Sequence, residues 1–406
     1  MLKLLHTADW HLGKRLEQCE RTDEHQHFLD WLVETLSAEK VDVLIVAGDI
    51  FDSGNPSNTA LKQYYNFLWK ASGTCCRNVI MIGGNHDSVA TLDAPKELLR
   101  IFNVHVIGGV PDECEEQIIT IKNKEEKIEL VVCAVPFLRD KDLRRSIAGE
   151  STAEQESRLK QGISDHYHQF KKHIQRYKQN KIPVIATGHL YTSGGASSDS
   201  ENEIYVGNLG RISGDQFPAE FDYVALGHLH RPQLVNKMDH IRYSGSPIPL
   251  SFSEAGDCKM VLLLEFENEK LLSIQQIMIP PCRKLHRIKG NLESVKAKLE
   301  LIQDEKMKFP QWIEIQLETD GIIHDLHDQL SHIIRNKTFI EQLFIRQNAV
   351  RNPKNSDEQT EEILNLNDLD TRSVFRKKIE SVFPGKDMSE MLKTFDEAVE
   401  LFRNNE

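Results

Sequence analysis

The chain alternates between short, uncharged apolar runs and longer stretches in which apolar residues recur every three or four positions. Runs at 2–5, 43–46, 79–82, 183–186 and 223–226 carry almost no polar side chain. Such runs read as strands covered on both faces, as in a sheet lying between other layers. A helix is predicted from about 22 to 39, with Phe28, Leu29, Leu32, Val33 and Leu36 on one face and His25 and His27 on its exposed side. A longer one is predicted from about 152 to 180, striped by Leu159, Ile163, Tyr167, Phe170, Ile174 and Tyr177. Ser57 is placed to cap a helix through Leu68, and Asp93 one through Phe102. The runs at 117–121 and 128–136, joined by charged residues, predict a hairpin and therefore a partly antiparallel or mixed sheet.

Strand signals at 260–266 and 272–279 end at Pro280-Pro281, and the pattern then changes. From 282 to 350 it reads strand, helix, strand, helix, strand, a small α+β domain following a first domain over 1–281. Residues 351–370 are polar and read as a linker, and 371–406 as short amphipathic helices suited to a partner's groove or coiled coil.

Composition narrows the class. The 406 residues are 39% hydrophobic and 28% charged, a soluble globular profile with room for two or three domains. No run approaches the roughly 18 apolar residues that cross a bilayer, and the first residues do not read as a signal peptide. Seven cysteines, odd in number and without a CxxC pair, predict reduced thiols and a cytoplasmic protein. A net charge of −12 argues against a broad phosphate-neutralising face. It leaves room for nucleic acid, because bound divalent cations would offset an acidic site; the basic stretches at 139–145 and 283–289 add little by themselves.

The chemistry sits where the apolar runs stop. Each of the five ends in a motif: Asp9-x-His11, Gly48-Asp49, Gly84-Asn85-His86-Asp87, Gly188-His189 and Gly227-His228-x-His230. A lone strand-end aspartate is ordinarily a cap, but the repetition speaks against that reading. Asp9, His11, Asp49, Asn85, His189, His228 and His230 are too many ligands for one tetrahedral ion, and they suit two ions sharing a carboxylate. Mixed nitrogen and oxygen donors without thiolate favour Mn²⁺, Fe or Zn²⁺ over Ca²⁺ or Mg²⁺. Such a pair serves phosphoester hydrolysis. His86 is then free to act as a general acid or to bind phosphate, with Asp87 placed to orient its ring.

These motifs, in this order over 9–230, resemble the calcineurin-like metallophosphoesterases. The longer strings H-T-A-D-W-H-L-G, V-A-G-D-I-F-D and G-N-H-D-S-V-A-T-L, with Y-S-G-S-P-I-P-L-S-F at 243–252, are similar to the DNA nuclease subunits within that family. The resemblance implies a mixed α/β, four-layer αββα sandwich with two sheets face to face, a capping domain that meets DNA, and a homodimer. It implies one Mn²⁺ on Asp9, His11, Asp49 and His230 and a second on Asp49, Asn85, His189 and His228, with His86 catalytic and Asp52 in a supporting position. It further implies an ATP-linked 3′–5′ double-strand exonuclease and single-strand or hairpin endonuclease for DNA repair, recombination and replication. The C-terminal helices would grip a coiled-coil ATPase. A phosphoesterase for a small phosphodiester or a phosphoprotein, and a non-catalytic scaffold, are the alternatives; the extra domain and tail weigh against the first and the intact ligand set against the second.

Overall fold

The computed structural model describes residues 1–143, 151–192, 195, 212–267, 270–319, 323, 325–349, 391 and 394–395. The chain divides into two units, Met1–Ala349 and Val350–Glu406. The expected linker and most of the expected tail helices lie outside the described residues.

The chain runs from β1 (Leu2–Thr7) through a short hairpin, β2 (Arg15–Leu16) and β3 (Cys19–Glu20), into α1 (Thr22–Ala38) and β4 (Val43–Ala47). It continues with α2 (Asn58–Ser72), β5 (Asn78–Ile82), α3 (Val89–Asp93), α4 (Lys96–Arg100) and β6 (Val104–Ile107). The hairpin β7 (Ile118–Lys122) and β8 (Ile128–Cys133) precedes α5 (Asp140–Leu143), α6 (Thr152–His168), α7 (Phe170–Gln179), β9 (Val184–His189) and β10 (Tyr223–Gly227). Four more strands, β11 (Gln233–Val235), β12 (Met238–Tyr243), β13 (Met260–Glu267) and β14 (Lys270–Met278), complete two mixed sheets. Their orders are β14-β13-β1-β4-β5-β6 and β11-β12-β10-β9-β8-β7.

Strand β4 shows why the layers stack. All its residues are buried, but Val43, Ile45 and Ala47 belong to the core between the two sheets, whereas Leu44 and Val46 face α1 and α2. Alternation along a strand thus gives each side of the sheet its own apolar contact. Val131, Val184 and Ala186 do the same for the second sheet against α6 and α7, while Val132 and Ile185 enter the shared core. The result is helix, sheet, sheet, helix.

Beyond Pro281, β15 (Leu285–Gly290), α8 (Leu292–Leu301), β16 (Gln311–Thr319), α9 (Leu326–Ile334) and β17 (Ile340–Ala349) form a parallel three-stranded sheet with its two helices. It has its own core, including Val295, Leu299, Ile313, Ile315 and Leu330. A smaller cluster of Leu16, Phe252, Leu285 and Trp312 joins it to the sandwich.

Three local expectations change. Asp93 does not cap a helix: Ser88 caps α3, and Asp93 Oδ1 accepts the Gly108 N–H at 2.8 Å. The long helix is interrupted at Gln169, between α6 and α7. His25 is fully buried, because it falls in line with Phe28, Leu29 and Leu32 on the core face of α1; the chain entering the second domain covers the other side. There Arg283 pairs with Glu24 at 3.0 Å. With Arg287 paired to Glu314 at 2.6 Å, the basic stretch at 283–289 is largely structural.

Candidate metal centre

The parallel neighbours β1 and β4 end at Asp9 and Asp49, β5 at the Asn85-His86-Asp87 loop, and β9 and β10 at His189 and His228. The C-terminal rim of strands is where ligand sites of α/β sheets tend to lie. Here the rims of both sheets meet. A Cβ on Gly84 would collide with the Asp49 carboxylate and one on Gly227 with the Ala47 carbonyl, so only glycine permits that approach.

The backbone is strained at the rim. Asp9, His11, Asp49 and His228 have φ of 53°, 45°, 48° and 99°, in the left-handed region that side chains disfavour. Cross-bonds hold it: Asp9 N donates to the Gly48 carbonyl at 3.0 Å and His11 N to the Asp49 carbonyl at 2.9 Å. Strain of this kind persists only where the surroundings over-determine it, and it gathers at functional sites.

Asp49 stands at the centre. Its Oδ2 is 3.4 Å from His11 Nε2 and 3.2 Å from His189 Nε2, while Oδ1 accepts the His86 N–H at 2.9 Å. On one side Asp9, His11 and His230 bring ligand atoms within 4.8 Å of one another; on the other, Asp49, His189 and His228 do so. Asn85 Oδ1 lies 3.0 Å from His189 Nε2 and 3.1 Å from His228 Nδ1. All seven residues named for metal binding are therefore in one place. His11, Asp49 and His86 form a further such group, so His86 also lies within ligand reach.

Asp87 does not orient His86. Its carboxylate accepts the N–H groups of Ile50, Phe51 and Gly84 at 3.1, 2.9 and 2.9 Å, tying two loops together. Adjacent residues in the loop project apart, and the His86 ring instead donates Nδ1–H to the Asp52 carbonyl at 2.8 Å. A carbonyl oxygen can only accept, so the proton is on Nδ1 and Nε2 is left for chemistry. The Asp52 carboxylate sits 3.3 Å from His11 Nδ1 and 3.1 Å from Lys14 Nζ.

The donor set fits divalent cations. Asp9 Oδ2, His11 Nε2 and His228 Nε2 are buried without a hydrogen-bond partner, and native interiors rarely tolerate such atoms. The charges ask for the same balance. Burial pushes the Asp9 carboxyl up to about 7. Burial would raise Asp49 too, but His189 and His11 hold it well below the ordinary carboxylate range. Burial opposes protonation of His189, yet Asp49 and Asp9 raise it to about 9. Burial lowers His230 to about 4 and His228 well below its usual value.

Sequence reasoning missed Glu254 and Lys259, which lie behind His230. The string at 243–252 stops two residues short of Glu254, and a single acid in an aperiodic segment gives no signal.

Two facing sheets flanked by helices, with aspartate, asparagine and histidine side chains gathered on their joined rims, define a calcineurin-like phosphoesterase, a metal-dependent hydrolase of phosphate esters; residues 2–232 match that family. Residues 281–383 match the family described as type 5 capsule protein repressor C-terminal domain. The chain is 36% identical over 379 residues to the SbcD component of nuclease SbcCD from Escherichia coli strain K12, covering 93% of this chain and 92% of that protein. It is 29% identical over 412 residues to the SbcD component of the Bacillus subtilis strain 168 nuclease, covering 98% and 99%. The chain belongs to the SbcD family. Among the described residues no helix is long and apolar enough to cross a membrane.

Proposed function

We propose that this chain is the nuclease component of an SbcCD-type complex, cutting DNA with two divalent cations, Mn²⁺ by preference. The observation that carries this is Asp49, whose Oδ2 lies between His11 and His189 at the joint between the two ligand groups. One ion would take Asp9, His11, Asp49 and His230, the other Asp49, Asn85, His189 and His228. Bound there, such ions supply a water of lowered pKa and draw charge from the phosphoryl oxygens. His86, half-buried at the mouth of the site, anchors Nδ1–H on the Asp52 carbonyl, and a second proton carried on Nε2 would pass to the leaving oxygen. Asp87 keeps the loops of Asp49 and His86 in register.

The domain layout supports a long polymeric substrate: a sandwich over 1–281, a capping domain over 282–350 and a partner-binding tail. The tail would engage an SbcC-type coiled-coil ATPase, which would make cleavage ATP-linked. A homodimer is supported by Tyr65 and Trp69 on α2 and by Leu98, Ile101 and Phe102 beyond it, all exposed. Phe102 lies by the end of α2, lining a groove with Ser72. Exposed aromatic and aliphatic residues gathered this way mark protein interfaces.

The test is cleavage by the purified chain with Mn²⁺ against Mg²⁺, on duplex ends, hairpins and single strands, with and without the ATPase partner. Metal-dependent release of nucleotides from duplex 3′ ends and nicking of hairpins are expected. Hydrolysis of small phosphodiesters with no DNA cleavage would overturn the reading.

A further inference from the structure

The four imidazoles assigned to metal are not held alike. Behind His230, Glu254 Oε1 lies 3.6 Å from Nδ1, and Glu254 itself is 0% exposed. Its Oε2 is 2.6 Å from Lys259 Nζ, which also donates to the His230 carbonyl at 3.0 Å and to Ser246 Oγ at 2.9 Å. Ring and backbone of His230 are thus gripped by the two ends of one buried ion pair. Behind His11 the arrangement repeats, with Asp52 on Nδ1 and Lys14 on Asp52. The other two differ. His189 gives its Nδ1 proton to a neutral carbonyl, that of Ala47, at 3.0 Å. His228 turns Nδ1 toward Asn85, and its Nε2 has no hydrogen-bond partner.

A buried glutamate–lysine pair contributes little net stability, since desolvation offsets most of the attraction. Its place behind a ligand calls for another reason. An imidazole can bind a cation through Nε2 only when its proton is on Nδ1. A carboxylate there fixes that tautomer and raises the basicity of the ring, whereas a neutral carbonyl fixes it with less electron push.

We propose that the two metal positions are unequal, and that Glu254 and Asp52 make the one built on His11 and His230 the tighter by acting as positioning residues for those rings. This rests on the assignment of His230 and His11 as ligands. Lysines 259 and 14 balance the two carboxylates and keep them ionised at the back of the site. Glu254 is also seated from outside: it lies in a turn whose Phe252 ring is 5.6 Å from that of Phe344 in β17. The tighter position therefore leans on the second domain.

The experiment is calorimetric titration of the metal-stripped full chain with Mn²⁺, paired with an ion count. Wild type is expected to fill in two steps of different affinity. Glu254→Gln and, independently, the half-exposed Asp52→Asn should weaken the tighter step by roughly 10- to 100-fold and leave the looser one in place. Glu314→Gln, an equally buried ion-paired residue away from the site, controls for lost stability and should leave both steps unchanged. If Glu254→Gln disturbs folding by stranding Lys259, the double change with Lys259→Met removes both charges and Asp52→Asn still decides. Two equal steps in wild type, or variants that weaken both steps alike or neither, overturn the proposal. Wild type that takes up no ion sinks the metal assignment along with it.

Discussion

His189 donates from Nδ1 to the carbonyl oxygen of Ala47, 3.0 Å away, and so joins the end of β9 in one sheet to the end of β4 in the other. The same contact turns Nε2 to within 3.2 Å of Asp49 Oδ2. Ligand geometry and sheet docking are therefore one event. Ions bound at this joint would stabilise the docked state by mass action, on the order of 2.7 kcal/mol at a hundredfold excess over Kd. Stripping the protein with EDTA should lower its melting temperature by several degrees, and Mn²⁺ should restore it. Calorimetry checks this; a melting temperature indifferent to metal would contradict it.

Asp49 and His189 should part company on substitution. Asp49→Ala removes the carboxylate between both groups and is expected to abolish both ions. His189→Ala or His230→Ala should first lose one. The count of bound Mn²⁺ per chain after gel filtration distinguishes two, one and none.

His86 lies within ligand reach yet has its Nδ1 occupied by the Asp52 carbonyl. If it is the acid, His86→Ala keeps both ions and DNA affinity while the cleavage rate falls by roughly 10²- to 10⁴-fold. Loss of an ion from that variant would make it a ligand instead.

His6 gives a prediction away from the chemistry. It bridges the sheets through Nδ1, 2.9 Å from the Tyr223 hydroxyl, and burial pushes its pKa from 6.5 down to about 3. Below pH 6.5 the unfolded chain takes up a proton that the folded chain refuses, so stability falls as pH drops through that window. Between pH 6.5 and 5 the loss from this one group comes to roughly 1–2 kcal/mol. Urea midpoints for His6→Gln should depend less on pH than those of wild type across the same range.

The exposed face of α2 is open to a direct test. Trp69→Glu, at a residue 74% exposed, should leave folding intact and convert a dimer to a monomer in sedimentation. A sedimentation coefficient unchanged from wild type would place the dimer contact elsewhere.

Much of the candidate site was legible because the proposed ligands follow the most readable elements. β4 and β10 are uninterrupted apolar runs, and the residue at which each run stops is the residue that matters. Only part of the support was legible: Asp52 was read as a supporting residue, and Glu254 was not. Glu254 acts through a turn, and Asp52 holds His86 by a backbone carbonyl that has no sequence signature. Asp87 looked like a partner for its neighbour, but three N–H groups from chain-distant and local loops claimed its oxygens first. β11 and β12 escaped notice because the edge strand β11 is only three residues long and β12, Met-Asp-His-Ile-Arg-Tyr, mixes polar and apolar residues without a clean period. His25 is a different case: its spacing of three, four and seven from Phe28, Leu29 and Leu32 puts it within the apolar stripe of α1, and only its polar ring argued for the exposed side.

The left-handed backbone at Asp9, His11, Asp49 and His228 bears on how this protein can vary. Each such residue costs on the order of 1–3 kcal/mol, and glycine would relieve most of it. With no ions to bind, a chain selected only to fold would drift toward glycine at these four positions and become sturdier as it became inert. Catalytically dead variants should therefore be among the easiest to produce and purify, and high yield is a poor guide to an intact centre.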